Sequence, residues 1–504
     1  MDAPVVVIGG GVAGLGVALG LSRAGHQVVV VDRDPLTAAA TPDEAFAVER
    51  KGAPQVRHTH GLLARLTATL RDRFPDVLDT LVGAGGVEVD LANRFADRRD
   101  GDADLRVLLA RRTTLEWALR RAAAAEAGVT LRGGVGVEAL VGNDTTVHGV
   151  RLSSGEVLDA AAVVAAGGRR SGVIGWLADL GIEVPEEQHD TGIVYLTRWY
   201  RTAGDWDAVI DGDELVKLGG DLGYLFYLAV PADRGTFSLT MAIAAGDASL
   251  RSHLLAPEAF ERAARALPLP PGLVDRLVPD GPVHPMGGLV NRIRRFVDAD
   301  GQPRVTGFHA IGDAHTCTNP IYGRGCSLAL VQAVALTDAM AAHPHDPVAR
   351  VLAYEAACRE QTEPWYRVSV ETDRVRQARY RWGEPDGAAS NRTGDRGPNR
   401  DHDPGPVGAI AELMELGGDD PLVGRAILRA VNLLATPDQI MADAAVLTRV
   451  MELAQARARA REDKSAAAKA SGAGEDAAAP GAAPSNPWAR HGPTRQEMLD
   501  LTAA

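Results

Sequence analysis

The chain has 504 residues, enough for two or three structural units, and is 46% hydrophobic and 24% charged, which supports a sizeable core and excludes general disorder. A formal net charge of −13 disfavours nucleic acid or an anionic membrane as the main partner. Three cysteines (Cys317, Cys326, Cys358) without a CxxC pair exclude a disulfide scaffold and a cysteine zinc site, and point to a reducing cytoplasm. Oligomeric state leaves no mark in the sequence.

The opening reads strand, turn, helix, strand. Val5–Ile8 is a short β-branched run suited to a strand buried on both faces. The turn runs from Gly9 to Gly14, a small-residue helix extends from Ala13 to about Ala24, and Val28–Val31 forms a second buried strand with Asp32 at its end. Val5 to Leu21 carries no charge but is not expected to be an integral membrane segment: six of its residues are glycine, and a bilayer core needs about 20. An Arg- and Ala-rich helix is predicted from Thr113 to Ala127, and a further buried strand at Val163–Ala166.

The texture then changes. Gly192–Arg201, Gly223–Val230 and Thr236–Ala244 alternate polar and apolar residues, as strands of a half-solvated antiparallel sheet do. The strand–Gly–helix texture returns near 305–340, so the first unit is expected to be discontinuous. The sequence therefore predicts an α/β chain in five parts. Residues 1–184 and 291–345 form a discontinuous Rossmann-like domain, and 185–290 an inserted domain that is mainly antiparallel sheet. A helical C-terminal region follows over 346–463, then a disordered linker with a short terminal helix over 464–504. A loop is expected from Trp382 to Pro406, an N-capped helix at Thr436-Pro437, and a capping box at Thr494-x-x-Glu497.

Gly9-x-Gly11-x-x-Gly14 lies between the first strand and helix, with an acid, Asp32, eighteen positions further on. In this pattern the first glycine permits a tight turn, the second lets backbone approach a pyrophosphate, and the third allows helix and strand to pack closely. The first turn, including Val12 and Ala13, offers unpaired N–H groups to phosphate. Asp32, followed by Arg33, favours the ribose of FAD or NAD over the 2′-phosphate of NADP.

A second motif follows: Ile311-Gly312-Asp313-Ala314-His315, then Asn319-Pro320-Ile321-Tyr322-Gly323-Arg324-Gly325-Cys326-Ser327. With the first it resembles the paired FAD motifs of flavoproteins with the p-hydroxybenzoate hydroxylase fold, which implies that 1–184 with 291–345 is a discontinuous Rossmann-like FAD-binding domain and 185–290 an inserted substrate domain. The resemblance implies that Asp313 hydrogen-bonds the ribityl chain, that Gly312, Pro320, Gly323, Gly325 and Cys326 lie along the flavin, that Gly168 is part of the FAD site, and that Arg112 lies near the phosphates. Four further stretches are similar to bacterial polyether-epoxidase-like FAD-dependent monooxygenases: Gly52-Ala53-Pro54-Gln55-x-x-His58-x-His60-x-Leu62-Leu63, Gly168-Arg169-x-Ser171 with Trp176-Leu177, Tyr195-x-x-Arg198-x-Tyr200, and Asn319-Pro320-x-Tyr322-Gly323-x-Gly325.

That resemblance implies a monooxygenase that passes one oxygen atom of O2, through a flavin C4a-hydroperoxide, to an apolar small-molecule substrate by epoxidation or hydroxylation. The alternative is a dehydrogenase or alkene reductase of the geranylgeranyl-reductase-like type. Tyr195, Arg198, Trp199, Tyr200, Tyr224 and Phe226 are candidates for the substrate wall, about half of which must face away because strand side chains alternate. NAD(P)H or a separate flavin reductase would supply electrons. Gly167-Gly168 stands where aromatic hydroxylases carry Asp-Gly, which weakens the case for direct NADPH reduction. His58 and His60 read first as histidines bonded to loop backbone; the alternative places one beside the flavin, as the only catalytic candidates. With His315 they lack a ligand of fitting spacing, so no metal is expected. Cys317 and Cys326 read as small buried thiols.

Overall fold

The computed structural model describes residues 3–36, 39–50, 52–202, 218–380, 420–470 and 490–503. Four strands, β1 (Val5–Ile8), β2 (Val28–Asp32), β3 (Val129–Gly133) and β4 (Ala162–Ala165), join the Phe308–Ala310 strand in a parallel sheet. The order is Phe308–Ala310, β4, β1, β2, β3. The edge strand beside β4 thus comes from chain far beyond β4. Val6 and Ile8 enter one apolar cluster while Val5 and Val7 enter another. With both faces covered, β1 reads as an unbroken apolar run.

Helix α1 (Val12–Arg23) follows β1, and α2 (Arg112–Ala125) precedes β3. The predicted helix at Thr113–Ala127 is thus present, displaced by one or two residues.

The antiparallel sheet contains β5 (Ile193–Thr202), β6 (Gly219–Asp221), β7 (Leu225–Pro231), β8 (Thr236–Ala244), β9 (Leu277–Pro279) and β10 (His284–Met286). Its order is β6, β7, β8, β5, β9, with β10 also paired to β5. Leu196, Tyr200, Tyr227, Phe237 and Met241 pack on one face against α3 (Ala248–Leu254) and α4 (Pro257–Ala266). The expectation of a half-solvated sheet is corrected here: every residue of β8 is buried. Helices cover one face, and the 57–60 segment of the first unit covers the other.

Helix α5 (Gly325–Ala342) crosses α1 closely: a Cβ on Gly16 would lie 2.6 Å from Leu330, and one on Gly20 would lie 2.6 Å from Thr337. Among the described residues α5 is the one helix long and apolar enough to cross a membrane, but here it is 67% buried within the fold. Beyond it lie Pro347–Gln361, α6 (Glu363–Tyr380), Pro421–Val431, Pro437–Met441 and Ala444–Ala470. Thr436 forms the capping box of its helix with Gln439. The linker expectation is corrected at its start, because Lys464–Ala470 continue a helix, as alanine and lysine favour. The expected loop at 382–406 and the remainder of the linker lie outside the described residues. The terminal helix α7 (Arg495–Ala503) carries its capping box: Thr494 N–H donates to Glu497 at 2.8 Å and Glu497 N–H donates to the Thr494 hydroxyl at 3.3 Å.

Candidate functional site

Gly9 has φ +112°, and a Cβ there would lie 2.5 Å from the Ala166 carbonyl oxygen. A Cβ on Gly14 would lie 1.8 Å from the Gly9 carbonyl oxygen, so this glycine sets how tightly α1 meets its strand. Gly11 differs: its Cβ would meet only Glu116 at 3.8 Å and Arg112 at 4.0 Å. Of the glycines in the turn, Gly11 is thus the one with open space where a Cβ would stand. Val12 and Ala13 open the helix, which has neither a side-chain cap nor an acid in its first turn. Its unpaired N–H groups and positive dipole end suit an anion.

Asp32, at the end of β2, accepts from Gly10 N–H at 2.6 Å and Asp34 N–H at 2.8 Å. Arg33 is exposed beside it. Buried Arg50 spans the acids, bonding Asp34 at 3.0 Å and Glu116 at 2.7 Å and standing 3.7 Å from Asp32. Glu116 also accepts from Arg112 Nε at 3.0 Å. Burial pushes the Glu116 carboxyl up, but Arg112, Arg50 and Arg120 outweigh it and hold it below its ordinary value. Arg112 is thereby fixed one helix turn before Glu116, next to Gly11.

The second motif meets the first directly. Gly312 has φ +60°, and its Cβ would sit 3.0 Å from that of Ala13. Gln332 of α5 accepts the Gly312 N–H at 2.6 Å and so holds this corner. Among the described residues no group donates a hydrogen bond to the Asp313 side chain. Burial raises its carboxyl above the ordinary value despite Arg112, Arg169 and Arg292 nearby. An unpaired carboxylate is an acceptor awaiting hydroxyl donors. Pro320 opens a short turn capped by Asn319, and Gly323 closes it at φ +66° against Gly61. Gly325 begins α5, again without a side-chain cap or an acid in the first turn. Cys326 is buried and its thiol is pushed up to about 11, so it is an inert packing group. Gly168, φ +71°, has no atom within 4 Å of a Cβ position.

The 319–323 turn is fixed from behind. Asp373 of α6 accepts from Asn291 at 2.7 Å, Tyr322 at 2.7 Å and Asn319 at 2.9 Å, and Asn319 Oδ1 accepts from Tyr195 at 2.9 Å. One carboxylate thus links the turn, the helical region and the antiparallel sheet.

The predicted substrate residues divide between two faces. Phe226, Ala242, Tyr195 and Met286 form one row across four strands, packed with Leu289 and Ile321 of the second-motif turn. Arg198 and Tyr200 are corrected: both bond Glu261 of α4 at 2.8 Å, on the opposite face. Tyr224 is corrected too, since its hydroxyl donates to the Pro493 carbonyl at 2.9 Å, beside the C-terminal helix. Trp199 shares Tyr195's face but donates to the Arg57 carbonyl.

His58 bonds Thr197 at 2.9 Å through Nδ1, and His60 bonds the His58 carbonyl at 2.9 Å through Nδ1 and Arg112 at 3.3 Å through Nε2. Burial, reinforced by neighbouring charges, lowers both imidazoles to about 3, so both are neutral at pH 7. His315 pairs instead with Thr316 and Glu355 behind the turn. Among the described residues no group of three potential ligands could hold a metal.

Sequence reasoning missed Arg50, Glu116, Gln332 and Asp373. Glu116 had a usable signal, one helix turn after Arg112; Asp373 had none. The two uncapped helix starts, the open backbone at Gly11 and the unpaired Asp313 can together hold an elongated diphosphate with hydroxyls, as FAD is.

Residues 4–92 match the family model described as FAD dependent oxidoreductase. No curated protein is similar to the chain in sequence. Among solved structures it is similar to pqsL, a probable FAD-dependent monooxygenase from Pseudomonas aeruginosa, at 20% identity and TM-score 0.55, covering 76% of this chain and 98% of that one. It is also similar to p-nitrophenol 4-monooxygenase PnpA from Pseudomonas putida DLL-E4, at 19% identity and TM-score 0.57, covering 86% of this chain and 98% of that one. The flavin-dependent brominase Bmp2 matches at 14% identity and TM-score 0.59, over 91% of this chain and 100% of that one. The chain thus matches an FAD dependent oxidoreductase model over residues 4–92 and shares its overall fold with these flavin-dependent enzymes.

Proposed function

We propose that the chain is an FAD-dependent monooxygenase that inserts one oxygen atom of O2 into an apolar organic substrate, by epoxidation or hydroxylation. The observation that carries this reading is the hydrogen bond from Tyr195 to Asn319. It joins the apolar row Phe226, Ala242, Tyr195 and Met286 to the turn that would line the flavin.

In this reading Gly9, Gly11, Val12, Ala13 and Gly14 would hold the diphosphate with Arg112, while Asp32 and Arg33 would face the adenosine ribose. Asp313 would accept from the ribityl hydroxyls. Gly168, Gly312, Pro320, Gly323, Gly325 and Cys326 would border the ring. Bound and reduced, FAD supplies the activation of O2. The chain's own residues orient the substrate and exclude water. NAD(P)H or a separate flavin reductase would deliver electrons. The three cysteines are free and buried, in keeping with a reducing cytoplasm.

The test is turnover of photoreduced holoenzyme with polyene substrates under ¹⁸O2. Label in the product supports oxygen insertion; substrate converted without label would mean dehydrogenation or reduction instead.

A further inference from the structure

A line of hydroxyls runs between the 57–60 segment and the antiparallel sheet, and its proton directions follow from one end. Ser238 donates to the Val230 carbonyl at 3.4 Å and accepts from Thr59 at 2.8 Å. A hydroxyl has one proton. Thr59 has given its proton to Ser238, so at its 2.7 Å contact with Thr240 the donor is Thr240. Thr240 has then spent its own, so at 2.6 Å Thr197 donates to Thr240. Thr197 is left with lone pairs only, so at 2.9 Å His58 Nδ1–H is the donor. The ring is neutral, and Nε2 therefore carries a bare lone pair.

Among the described residues nothing donates to that lone pair. His60, held in the same tautomer by the His58 carbonyl, has its Nε2 filled by Arg112. Tyr195, one row away on the sheet, has spent its proton on Asn319 Oδ1. The hydroxyls of this face and Tyr195 are thus satisfied internally, whereas His58 Nε2, and the half-buried His284 that pairs in register with Thr197, have no hydrogen-bond partner among the described residues. His58 belongs to the 58–61 segment, whose Gly61 Cα lies 3.4 Å from where a Cβ on Gly323 would sit.

We propose that His58 Nε2 is a specificity-determining acceptor for a substrate that is apolar over most of its length and carries one hydroxyl or N–H donor. This rests on the reading of the sheet face as a substrate wall. A ligand with such a donor completes the chain His58, Thr197, Thr240, Thr59, Ser238; an ether or hydrocarbon leaves the lone pair buried and unpaired, which costs affinity.

The experiment is nitrogen NMR of FAD-loaded protein with ¹⁵N-labelled histidine at pH 7.5, His58 being assigned from its loss in His58→Phe and, should that variant not fold, from its displacement in Thr197→Val. The expected His58 state is Nδ1 protonated and Nε2 bare, retained in Thr197→Ser and lost in Thr197→Val. Farnesol and 2-naphthol should shift Nε2 and bind at least about tenfold more tightly than their methyl ethers, the factor one ordinary hydrogen bond confers. In His58→Phe the alcohols and ethers should bind alike. A proton on Nε2, alcohols and ethers acting alike on the parent, or no response to any probe at its solubility limit would each overturn the proposal. None of these readouts needs turnover, so failure here leaves oxygen insertion standing, and missing ¹⁸O label leaves the tautomer standing.

Discussion

Asp32 accepts the backbone N–H of Gly10 at 2.6 Å, which makes the end of β2 and the glycine turn one hydrogen-bonded unit. Asp313, at the other motif, has no such bond among the described residues. The two acids should therefore fail differently. Asp32→Ala removes a charge-assisted bond worth about 1.5–3 kcal/mol, so it should destabilise the apoprotein and weaken FAD retention roughly ten- to hundredfold. Asp313→Ala should weaken FAD to a similar degree and leave apoprotein stability unchanged or raised, because a carboxylate disfavoured by burial has gone. Flavin content after dialysis, with urea unfolding of the apoproteins, separates the two. Full yellow protein from both variants would sink the assignment.

The three glycines of the first motif make a second contrast. Gly14→Ala places a Cβ 1.8 Å from the Gly9 carbonyl, a clash with backbone that should prevent normal folding. In Gly11→Ala the new carbon meets nothing nearer than 3.8 Å, so the apoprotein should keep its circular dichroism and stability. It would fill the space that a diphosphate needs, and FAD retention should fall at least tenfold. A Gly11→Ala protein that holds FAD like its parent would argue against a dinucleotide in this turn.

Buried Arg111 and Asp233 join the start of α2 to the turn before β8. The carboxylate accepts from Arg111 Nε and Nη2, from the Arg111 backbone N–H and from Thr114, and both side chains are at most 1% exposed. Removing Asp233 costs about 3–5 kcal/mol, because buried Arg111 keeps only the half-exposed Asp43 at 2.9 Å and its backbone N–H and the Thr114 hydroxyl lose their acceptor. Asp233→Ala should show that loss in urea unfolding. Replacing both by apolar residues, Arg111→Met with Asp233→Leu, should recover the part due to the buried charge, while the position-111 N–H and Thr114 stay without their acceptor; no recovery in the double variant would contradict this account.

Three histidines held neutral by desolvation contribute to acid stability. Burial holds His58, His60 and His309 at about 3, well below their ordinary 6.5. The unfolded chain then binds more protons than the folded one, so their contribution is complete above about pH 6.5 and is lost as pH falls toward 3. Three such groups give a slope of up to about 4 kcal/mol per pH unit once the unfolded histidines are fully protonated. Urea midpoints measured from pH 7.5 to 5 should fall accordingly, and His309→Phe should reduce the slope by roughly a third. A flat profile over that interval would show that these rings are not buried and neutral.

The parallel core was readable because β1, β2 and β4 are buried on both faces and so lack polar positions. β8 misled for the opposite reason. Thr236, Ser238 and Thr240 alternate with Phe237, Leu239 and Met241, which looks like a wet face and a dry one, yet all six are buried. Its hydroxyls bond the Asp233 and Val230 carbonyls, Thr197 of β5 and Thr59 of the 57–60 segment, so the alternation marks two buried faces of different chemistry. Period two also separated Tyr195 from Arg198 and Tyr200, without saying which of them faces the second-motif turn. Asp373 was illegible because it meets Asn319 from 54 residues away, on a helix whose sequence has no motif.

The C-terminal helix, α7, was expected to follow a linker; the structure packs it against its own chain. Met498 is fully buried in the core cluster formed by α3, α4 and the antiparallel sheet. Arg495 pairs with Asp247 at 2.7 and 2.9 Å, and Arg262 donates to the carbonyls of Leu501 and Thr502. Because burial of apolar surface supplies most of this contact, it should survive high salt, where an exposed ion pair would not. Met498→Ala should cost about 2–5 kcal/mol in the cooperative unit that contains the antiparallel sheet. Deleting residues 490–504 should expose that cluster, giving dye binding and faster proteolysis between β5 and α4. A synthetic peptide of residues 490–504 added in trans should reverse both. If the truncated protein resists protease as the parent does, α7 is not part of this core.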